Sequence, residues 1–126
     1  MSDYYFADTY ALVEILRGKG SYRAYAASVL YTTDFNLLEL AYPLVRDFGR
    51  DTALNVLQKI RNVAVVVATD DSDFARAAEM RIAARKSKKN LSLIDCLGYV
   101  VAQRMGVPFL TGDREFRDLP DVEFVR

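Results

Sequence analysis

Short apolar runs alternate with segments of helical periodicity along this chain, and the alternation restricts the fold more than any other feature. Strands are predicted over residues 4–7, 29–32, 63–68, 107–111 and 122–125. Apolar residues recur at helical spacing between consecutive strands. Parallel strands need such crossover connections, whereas antiparallel strands can be joined by tight turns. We therefore predict an α/β fold of three layers, in which a parallel sheet of about five strands is flanked by helices.

The helical segments have recognisable ends. Helices are predicted over residues 11–16, 22–27, 34–48, 51–60, 71–86, 92–105 and 114–119. Pro43 should distort the helix over 34–48 near its middle, because proline has no amide proton to donate. The sequence contains no fixed-period repeat, low-complexity tract or linker rich in proline, glycine and serine. We therefore expect one domain over residues 1–126.

The composition removes several kinds of chemistry. The chain has no histidine, which excludes a serine–histidine–aspartate triad, a histidine general base and zinc sites built on imidazole. Its single cysteine, Cys96, excludes an intramolecular disulfide and a site with several thiolate ligands. A lone cysteine also favours a reducing cytosol. Any catalysis should therefore depend on carboxylates.

Charge and hydropathy give no whole-molecule signal for a membrane or a polyanion. Basic and acidic residues both number 17, so the net charge is zero. Residues 1–8 lack the basic region and the apolar stretch of a signal peptide, and the longest aliphatic run, 63–68, is too short to span a bilayer. We expect a cytoplasmic protein with no membrane association.

Two aspartates follow predicted strands directly. Asp8 comes after the first strand and Asp113 comes after the fourth. Ligands of open parallel sheets collect at the carboxyl ends of the strands, where loops and helix N-termini converge. Asp8 and Asp113 are therefore candidate site residues. The alternative is that each only caps the helix that follows it, and the two roles can coexist.

Asp95 and Glu39 lie within predicted helices. The segment around Asp95, residues 91–102, is so apolar that an ionised carboxylate there needs a positive partner such as a metal ion. The alternative is a capping box in which Ser92 and Asp95 satisfy each other's backbone amides. Glu39 projects opposite the apolar face of its helix, so periodicity alone assigns it to solvent.

Positive charge is concentrated between residues 74 and 90. Six cations and one glutamate give this segment a net charge of +5, and the rest of the chain carries the compensating −5. Such a segment near a carboxylate cluster suits a polyanion whose phosphate is presented to bound cations. The candidate phosphate-binding residues are Arg81, Arg85, Lys86, Lys88 and Lys89. The alternative is a solvated helix whose C-terminal end is rich in cations.

The four acids occur in a recognisable order of short motifs. Asp8-Thr9 follows the first strand, Glu39 lies in Asp34-Phe-Asn-Leu-Leu-Glu-Leu-Ala, Asp95 lies in Leu93-Ile-Asp-Cys-Leu, and Asp113 lies in Thr111-Gly-Asp-Arg-Glu-Phe. Their order, spacing and secondary-structure context agree over nearly the whole chain. The sequence resembles the PIN-domain ribonucleases, most closely the small VapC-like toxins of type II toxin-antitoxin systems.

The resemblance implies a PIN-like fold and an acidic pocket that binds Mg²⁺ or Mn²⁺ and cleaves RNA. With RNA as the substrate, the five candidate phosphate-binding cations become the candidate RNA-binding residues. Asp8, Glu39, Asp95 and Asp113 match the family's acidic positions, so it assigns them catalytic and metal-binding roles, Glu39 against its helical periodicity. We expect Asp8 and Asp95 to hold the principal ion, and Asp113 and Glu39 to complete its shell directly or through water. The resemblance also implies a homodimer and a cognate antitoxin.

Two positions stand outside this core set. Tyr10 occupies the place where such toxins often carry a small hydroxyl residue, and it either narrows the pocket or adds a stacking surface. Glu115 is a candidate auxiliary ligand.

Other functions fit the acidic residues less well. A noncatalytic PIN-like module that binds RNA or a protein partner is the main alternative, and the complete acidic set argues against it. A metal-dependent phosphatase would be expected to carry a motif with an activated nucleophile, which argues against that function here. A glycosidase would usually have a sugar platform, often with tryptophan, which this chain lacks.

Overall fold

The computed structural model describes residues 2–126 and contains one five-stranded parallel sheet. The strands lie in the order β3-β2-β1-β4-β5, so the second half of the chain adds to the opposite side of β1 from β2 and β3. Their bounds are β1 (Tyr4–Ala7), β2 (Val29–Thr32), β3 (Ala64–Val66), β4 (Phe109–Thr111) and β5 (Val122–Phe124). The predicted fold class is confirmed.

Helices cover both faces of the sheet. They are α1 (Thr9–Leu16), α2 (Asp34–Phe48), α3 (Arg50–Val63), α4 (Asp71–Lys86) and α5 (Leu93–Met105), with 3₁₀ helices at Gly20–Tyr25 and Arg114–Phe116. The predicted helix over 22–27 is thus 3₁₀ and begins earlier, and the one over 114–119 is a single 3₁₀ turn. Pro43 lies inside α2, which continues through it to Phe48, so the expected distortion does not end the helix.

Successive side chains of the central strand enter two different cores. Phe6 packs with α4 and α5 in a cluster that includes Phe109, while Tyr5 packs with α1 and the helices after it in a cluster that includes Leu30 and Ile60. This alternation is the two-residue period of a strand buried on both faces. It produces the predicted three layers.

α5 approaches the sheet closely at Gly98. A Cβ atom at that position would lie 3.0 Å from the Phe6 ring and 3.3 Å from the Phe109 ring. The missing side chain therefore lets the N-terminal half of α5, which carries Asp95, pack directly on the rings of β1 and β4.

An ion pair between a buried aspartate and an exposed arginine joins α4 to α5. The Asp73 carboxylate, which is 1% exposed, accepts hydrogen bonds from Arg104 Nε at 2.9 Å and Nη2 at 3.0 Å. Asp73 also completes a capping box with Asp70 at the start of α4. The hydrogen bond from Arg104 holds the pKa of Asp73 below its usual value, as expected for a carboxylate paired with a guanidinium.

No helix within residues 2–126 combines the length and the apolar character needed to cross a bilayer.

Candidate active site

The carboxyl end of the sheet opens into a cleft of about 570 Å³. It lies beside β1, where the strand order changes direction and where loops and helix ends converge. All four acids named from the sequence line this cleft. The lining residues are Asp8, Thr9, Tyr10, Glu39, Asn90, Asp95, Asp113, Arg114, Glu115 and Arg126.

Asp8 is the most buried acid of the cleft, at 4% exposure. One carboxylate oxygen accepts a hydrogen bond from the amide of Ala11 at 2.8 Å, and the other accepts the hydroxyl proton of Thr111. Asp8 therefore caps α1 and lines the cleft, so the two roles coexist. Burial raises its pKa to about 7, and the charges of Asp95 and Asp113 add to the shift against the two hydrogen bonds.

Asp95 also serves as both a cap and a cleft residue. Its Oδ2 accepts from the amide of Ser92 at 2.8 Å, and Ser92 Oγ accepts from the amide of Asp95 at 3.0 Å, which is the capping box considered from the sequence. Burial is the main cause of a raised pKa for Asp95, and the charges of Glu39 and Asp113 raise it further. The cap orients the carboxyl group without removing it from the cleft.

Asp113 is connected to Asp8 through the hydroxyl of Thr111. Its amide donates to Thr111 Oγ1 at 3.0 Å, while the same hydroxyl donates to Asp8. Its carboxylate accepts from the amide of Glu115 at 3.0 Å and caps the 3₁₀ turn. Thr111, fully buried at the end of β4, thus links the two acids that follow neighbouring strands.

The helical-periodicity prediction for Glu39 is wrong, because its side chain is half-buried and lines the cleft. A helical wheel identifies the face of α2 that packs on the main core. It does not anticipate a second neighbour, and here α5 also contacts α2. Glu39 consequently faces the acids of the cleft, where its charge raises the pKa of Asp95.

The donor chemistry of the cleft fits a hydrated divalent cation. Among residues 2–126, no group of three or more acidic or cysteine side chains is arranged to hold an ion by itself. Mg²⁺, however, keeps several waters and uses only one or two carboxylates directly. The cleft offers oxygen donors without imidazole or thiolate, and its buried carboxylates repel one another.

The predicted RNA-binding segment lies beside the cleft but does not line it. Asn90, directly after this segment, is a lining residue. Arg85, Lys86 and Lys88 are exposed, and Lys89 is half-buried. Arg81 instead donates to the carbonyl of Leu91, a contact that the sequence did not indicate. The RNA-binding roles of all five cations stay predictions.

Two arginines of the cleft were missed by sequence reasoning. Arg114 directly follows Asp113, and this adjacency was the available signal. Arg126 gave no signal, because it reaches the cleft only through the pairing of β5 with β4. The amide of Val125 donates to the carbonyl of Thr111 at 2.9 Å, and the carbonyl of Val125 accepts from the Tyr22 hydroxyl at 2.6 Å. These two bonds anchor the chain just before Arg126.

A family model for the PIN domain matches residues 5–122. This chain belongs to the PIN domain family. The predicted family is confirmed, and the match includes Asp8, Glu39, Asp95 and Asp113. No curated protein sequence matches this PIN domain.

Solved structures similar to this PIN domain include toxins and toxin-antitoxin complexes. VapC20 of Mycobacterium tuberculosis, a toxin that cleaves the sarcin-ricin loop, has a TM-score of 0.75 and 22% identity over 97% of this chain and 99% of its own. VapBC2 of Rickettsia felis, bound to a promoter DNA fragment, has a TM-score of 0.77 and 16% identity over 98% and 99%. VapBC-5 of Mycobacterium tuberculosis has a TM-score of 0.69 and 20% identity over 99% of both chains. These likenesses show a shared fold.

Proposed function

We propose that this PIN-domain protein is a Mg²⁺- or Mn²⁺-dependent endoribonuclease and the toxin of a toxin-antitoxin pair. The observation that carries the proposal is the convergence of four carboxylates, from four separate segments of the chain, on one cleft. None of these four belongs to a salt bridge within residues 2–126. A cluster of acids without such partners is the environment that a divalent cation neutralises.

Asp8 and Asp95 would hold the principal ion directly, and Asp113 and Glu39 would complete its shell directly or through water. When bound, the ion supplies an activated water at neutral pH and neutralises charge on the phosphate in the transition state. Asp8 enters this role held by Ala11 and Thr111, so its carboxylate needs no reorientation. Asp8 must be ionised to ligate a cation, and its raised pKa makes this requirement sensitive to pH near neutrality.

The two arginines of the cleft act on the substrate. Arg114 and Arg126 line the same space as the acids. Guanidinium groups donate paired hydrogen bonds to phosphate oxygens, so these residues can orient an RNA phosphodiester against the carboxylates. The basic segment beside Asn90 would contact more distant phosphates of the same RNA.

The toxin assignment adds two protein partners, a second copy of the chain and a cognate antitoxin. The similar structures include the VapBC toxin-antitoxin complexes of Rickettsia felis and Salmonella typhimurium. This chain exposes large apolar side chains on α2 and α3, including Leu38, Phe48 and Leu54, which suit protein interfaces. An antitoxin could inhibit by inserting an arginine among Asp8 and its acidic neighbours, in competition with the metal ion.

The test is cleavage of a labelled RNA with Mg²⁺, with Mn²⁺ and with EDTA. We expect cleavage only with a divalent cation, and no release of product from a chromogenic phosphate ester. Asp95→Asn should abolish cleavage, because the amide keeps an oxygen for the capping bond but loses the charge that faces the ion. Asp47→Asn, at the exposed far end of α2, is the matched control and should cleave normally.

Three outcomes would contradict the proposal. Cleavage in EDTA would show that the reaction needs no metal ion, and normal cleavage by Asp95→Asn would show that the acidic cleft is not the catalytic site. RNA binding without cleavage under every metal condition would favour the noncatalytic module instead.

A further inference from the structure

We propose that Tyr10 stacks on the RNA base next to the scissile phosphate, and that Arg17 and Lys19 bind the phosphate beyond that base. This inference rests on the proposed ribonuclease function and adds the path of the substrate strand. Its starting point is the position of Tyr10, which is half-buried in the first turn of α1, two residues after Asp8.

Tyr10 lies on the boundary between two depressions. On one side it lines the acidic cleft. On the other side it lines a second open depression of about 540 Å³, together with Glu14, Arg17 and Lys19. An RNA strand that leaves the cleft in this direction must pass over the tyrosine ring.

The charge changes sign across Tyr10. The acidic cleft is lined by five carboxylates and two arginines. The second depression has two cations around the buried carboxylate of Glu14, with Arg17 at 3.5 Å and Lys19 at 3.3 Å. Both cations are solvent-exposed, with side chains 74% and 41% accessible, so they can also contact a phosphate. Only the second depression attracts an RNA phosphate without a bound metal ion.

Neighbouring groups hold the tyrosine ring in place. A Cβ atom at Gly112 would lie 2.1 Å from Cε1 of Tyr10, so the ring occupies space that only glycine leaves open. The Arg126 guanidinium lies 5.7 Å from the ring centroid, and the Tyr22 ring lies 6.4 Å away. A ring restrained in this way loses little conformational freedom when it binds a ligand.

A fixed aromatic ring accompanied by cations is a typical platform for single-stranded nucleic acid. Bases of any sequence stack on such rings, and nearby arginines add cation–π attraction and contacts to the backbone. The sequence left open whether Tyr10 narrows the pocket or adds a stacking surface. The change of charge on its two sides favours the stacking surface. One phosphate would lie in the acidic cleft and the next in the cationic depression, so the base between them would lie at the Tyr10 ring.

The experiment pairs protein variants with abasic RNA. A short single-stranded RNA that the wild-type protein cleaves is compared with RNAs that carry one abasic nucleotide on either side of the cleaved bond. Binding is measured by fluorescence anisotropy in EDTA, and cleavage is measured with Mn²⁺. Tyr10→Leu should lower the affinity for intact RNA about tenfold, and Tyr10→Phe should restore most of that loss. Thermal unfolding of each variant checks that it is folded.

The abasic RNA separates stacking from a general loss of structure. At one of the two positions, the wild-type protein should bind abasic RNA about tenfold more weakly than intact RNA, and Tyr10→Leu should cause no further loss. The stacking contact would be overturned if, at both positions, the loss of affinity from the abasic nucleotide and the loss from Tyr10→Leu simply multiplied. It would also be overturned if Tyr10→Leu bound intact RNA as tightly as the wild type does. If the wild-type protein neither binds nor cleaves any RNA, the proposed function itself fails, which is a distinguishable result.

The phosphate contact is tested by the salt dependence of binding. Lys19→Gln should reduce the slope of log affinity against log salt by about 0.7, the value for one phosphate of a single strand. Lys59→Gln, on the exposed surface of α3, is the matched control and should leave the slope unchanged. An unchanged slope for both Lys19→Gln and Arg17→Gln would overturn the contact beyond the base.

Discussion

Replacing Asp8 with asparagine should stabilise the metal-free protein at pH 8. The buried environment raises the pKa of Asp8 from 3.8 to about 7, so ionisation of this group at alkaline pH destabilises the folded state relative to the unfolded state. At 1.36 kcal/mol per pKa unit, the penalty on the folded state is about 4 kcal/mol. Asparagine carries no charge and is an equally good helix cap, so it removes the penalty and keeps the hydrogen bond from Ala11.

The substitution also has a cost, which sets the net magnitude. The Thr111 hydroxyl donates to Asp8 and already accepts from the amide of Asp113. An amide nitrogen at position 8 can only donate, which leaves the hydroxyl proton without an acceptor at about 1 kcal/mol. The net gain at pH 8 is therefore about 3 kcal/mol, or about 10 °C in Tm for a domain of this size.

The sign of the effect should reverse with pH. The raised pKa means that the contribution of Asp8 to stability is present below pH 4 and is lost as pH rises through about 7. The variant should therefore be more stable than the wild type at pH 8 and less stable by about 1 kcal/mol at pH 3, where Asp8 is protonated in both the folded and the unfolded state and only the lost hydrogen bond counts. Urea unfolding in EDTA at both pH values measures the difference.

Asp73→Asn is the matched control for this experiment. Asp73 is as buried as Asp8, but its pKa is lowered by the bond from Arg104, so the substitution should destabilise the protein at pH 8. An Asp8→Asn protein that is no more stable than the wild type at pH 8 would refute the reasoning. A difference between the two proteins that is independent of pH would refute it equally.

Three further predictions concern the metal, the RNA and the assembly. Affinity for Mn²⁺ should fall by up to tenfold per pH unit below about 7, because protonated Asp8 cannot ligate a cation; calorimetric titrations at pH 6 and 8 measure this, and equal affinities would contradict it. Joint replacement of Lys86, Lys88 and Lys89 by glutamine should flatten the salt dependence of RNA binding while Mn²⁺ affinity is retained; an unchanged slope would return this segment to the solvated-helix interpretation. Light scattering over a range of concentrations should give the mass of a homodimer, and a strictly monomeric mass at high concentration would end that proposal.

The fold was predictable because its signals are local and repeated. Each strand is a short apolar run, and the crossover between consecutive strands is helical, which leaves a parallel sheet as the consistent arrangement. Boundaries were less predictable. The run over residues 63–68 contains four valines, yet α3 extends to Val63 and only Ala64–Val66 forms β3. β3 is an edge strand that pairs with β2 alone, so its length follows that pairing.

The acids of the site were predictable to different degrees. Asp8 and Asp113 follow strands, so topology alone brings them to one edge of the sheet. Glu39 required the family resemblance, because its direction depends on α5 packing beside α2 and no local period encodes such a contact. Arg126 was out of reach for the same reason, since its position depends on the pairing of β5 with β4 and on the bonds that hold Val125.

Direct binding of Mn²⁺, followed by the loss of the free-ion signal in electron paramagnetic resonance, tests the central claim that the acidic cleft is a divalent-cation site. The wild-type protein and Asp47→Asn should bind Mn²⁺ saturably and with equal affinity. Asp95→Asn should bind at least about tenfold more weakly. Loss of a group that only orients a metal ligand typically lowers metal affinity by about that factor, and loss of a ligand itself should lower it at least as much. Equal affinity of Asp95→Asn and the wild type would contradict the account, and so would the absence of saturable binding to the wild type.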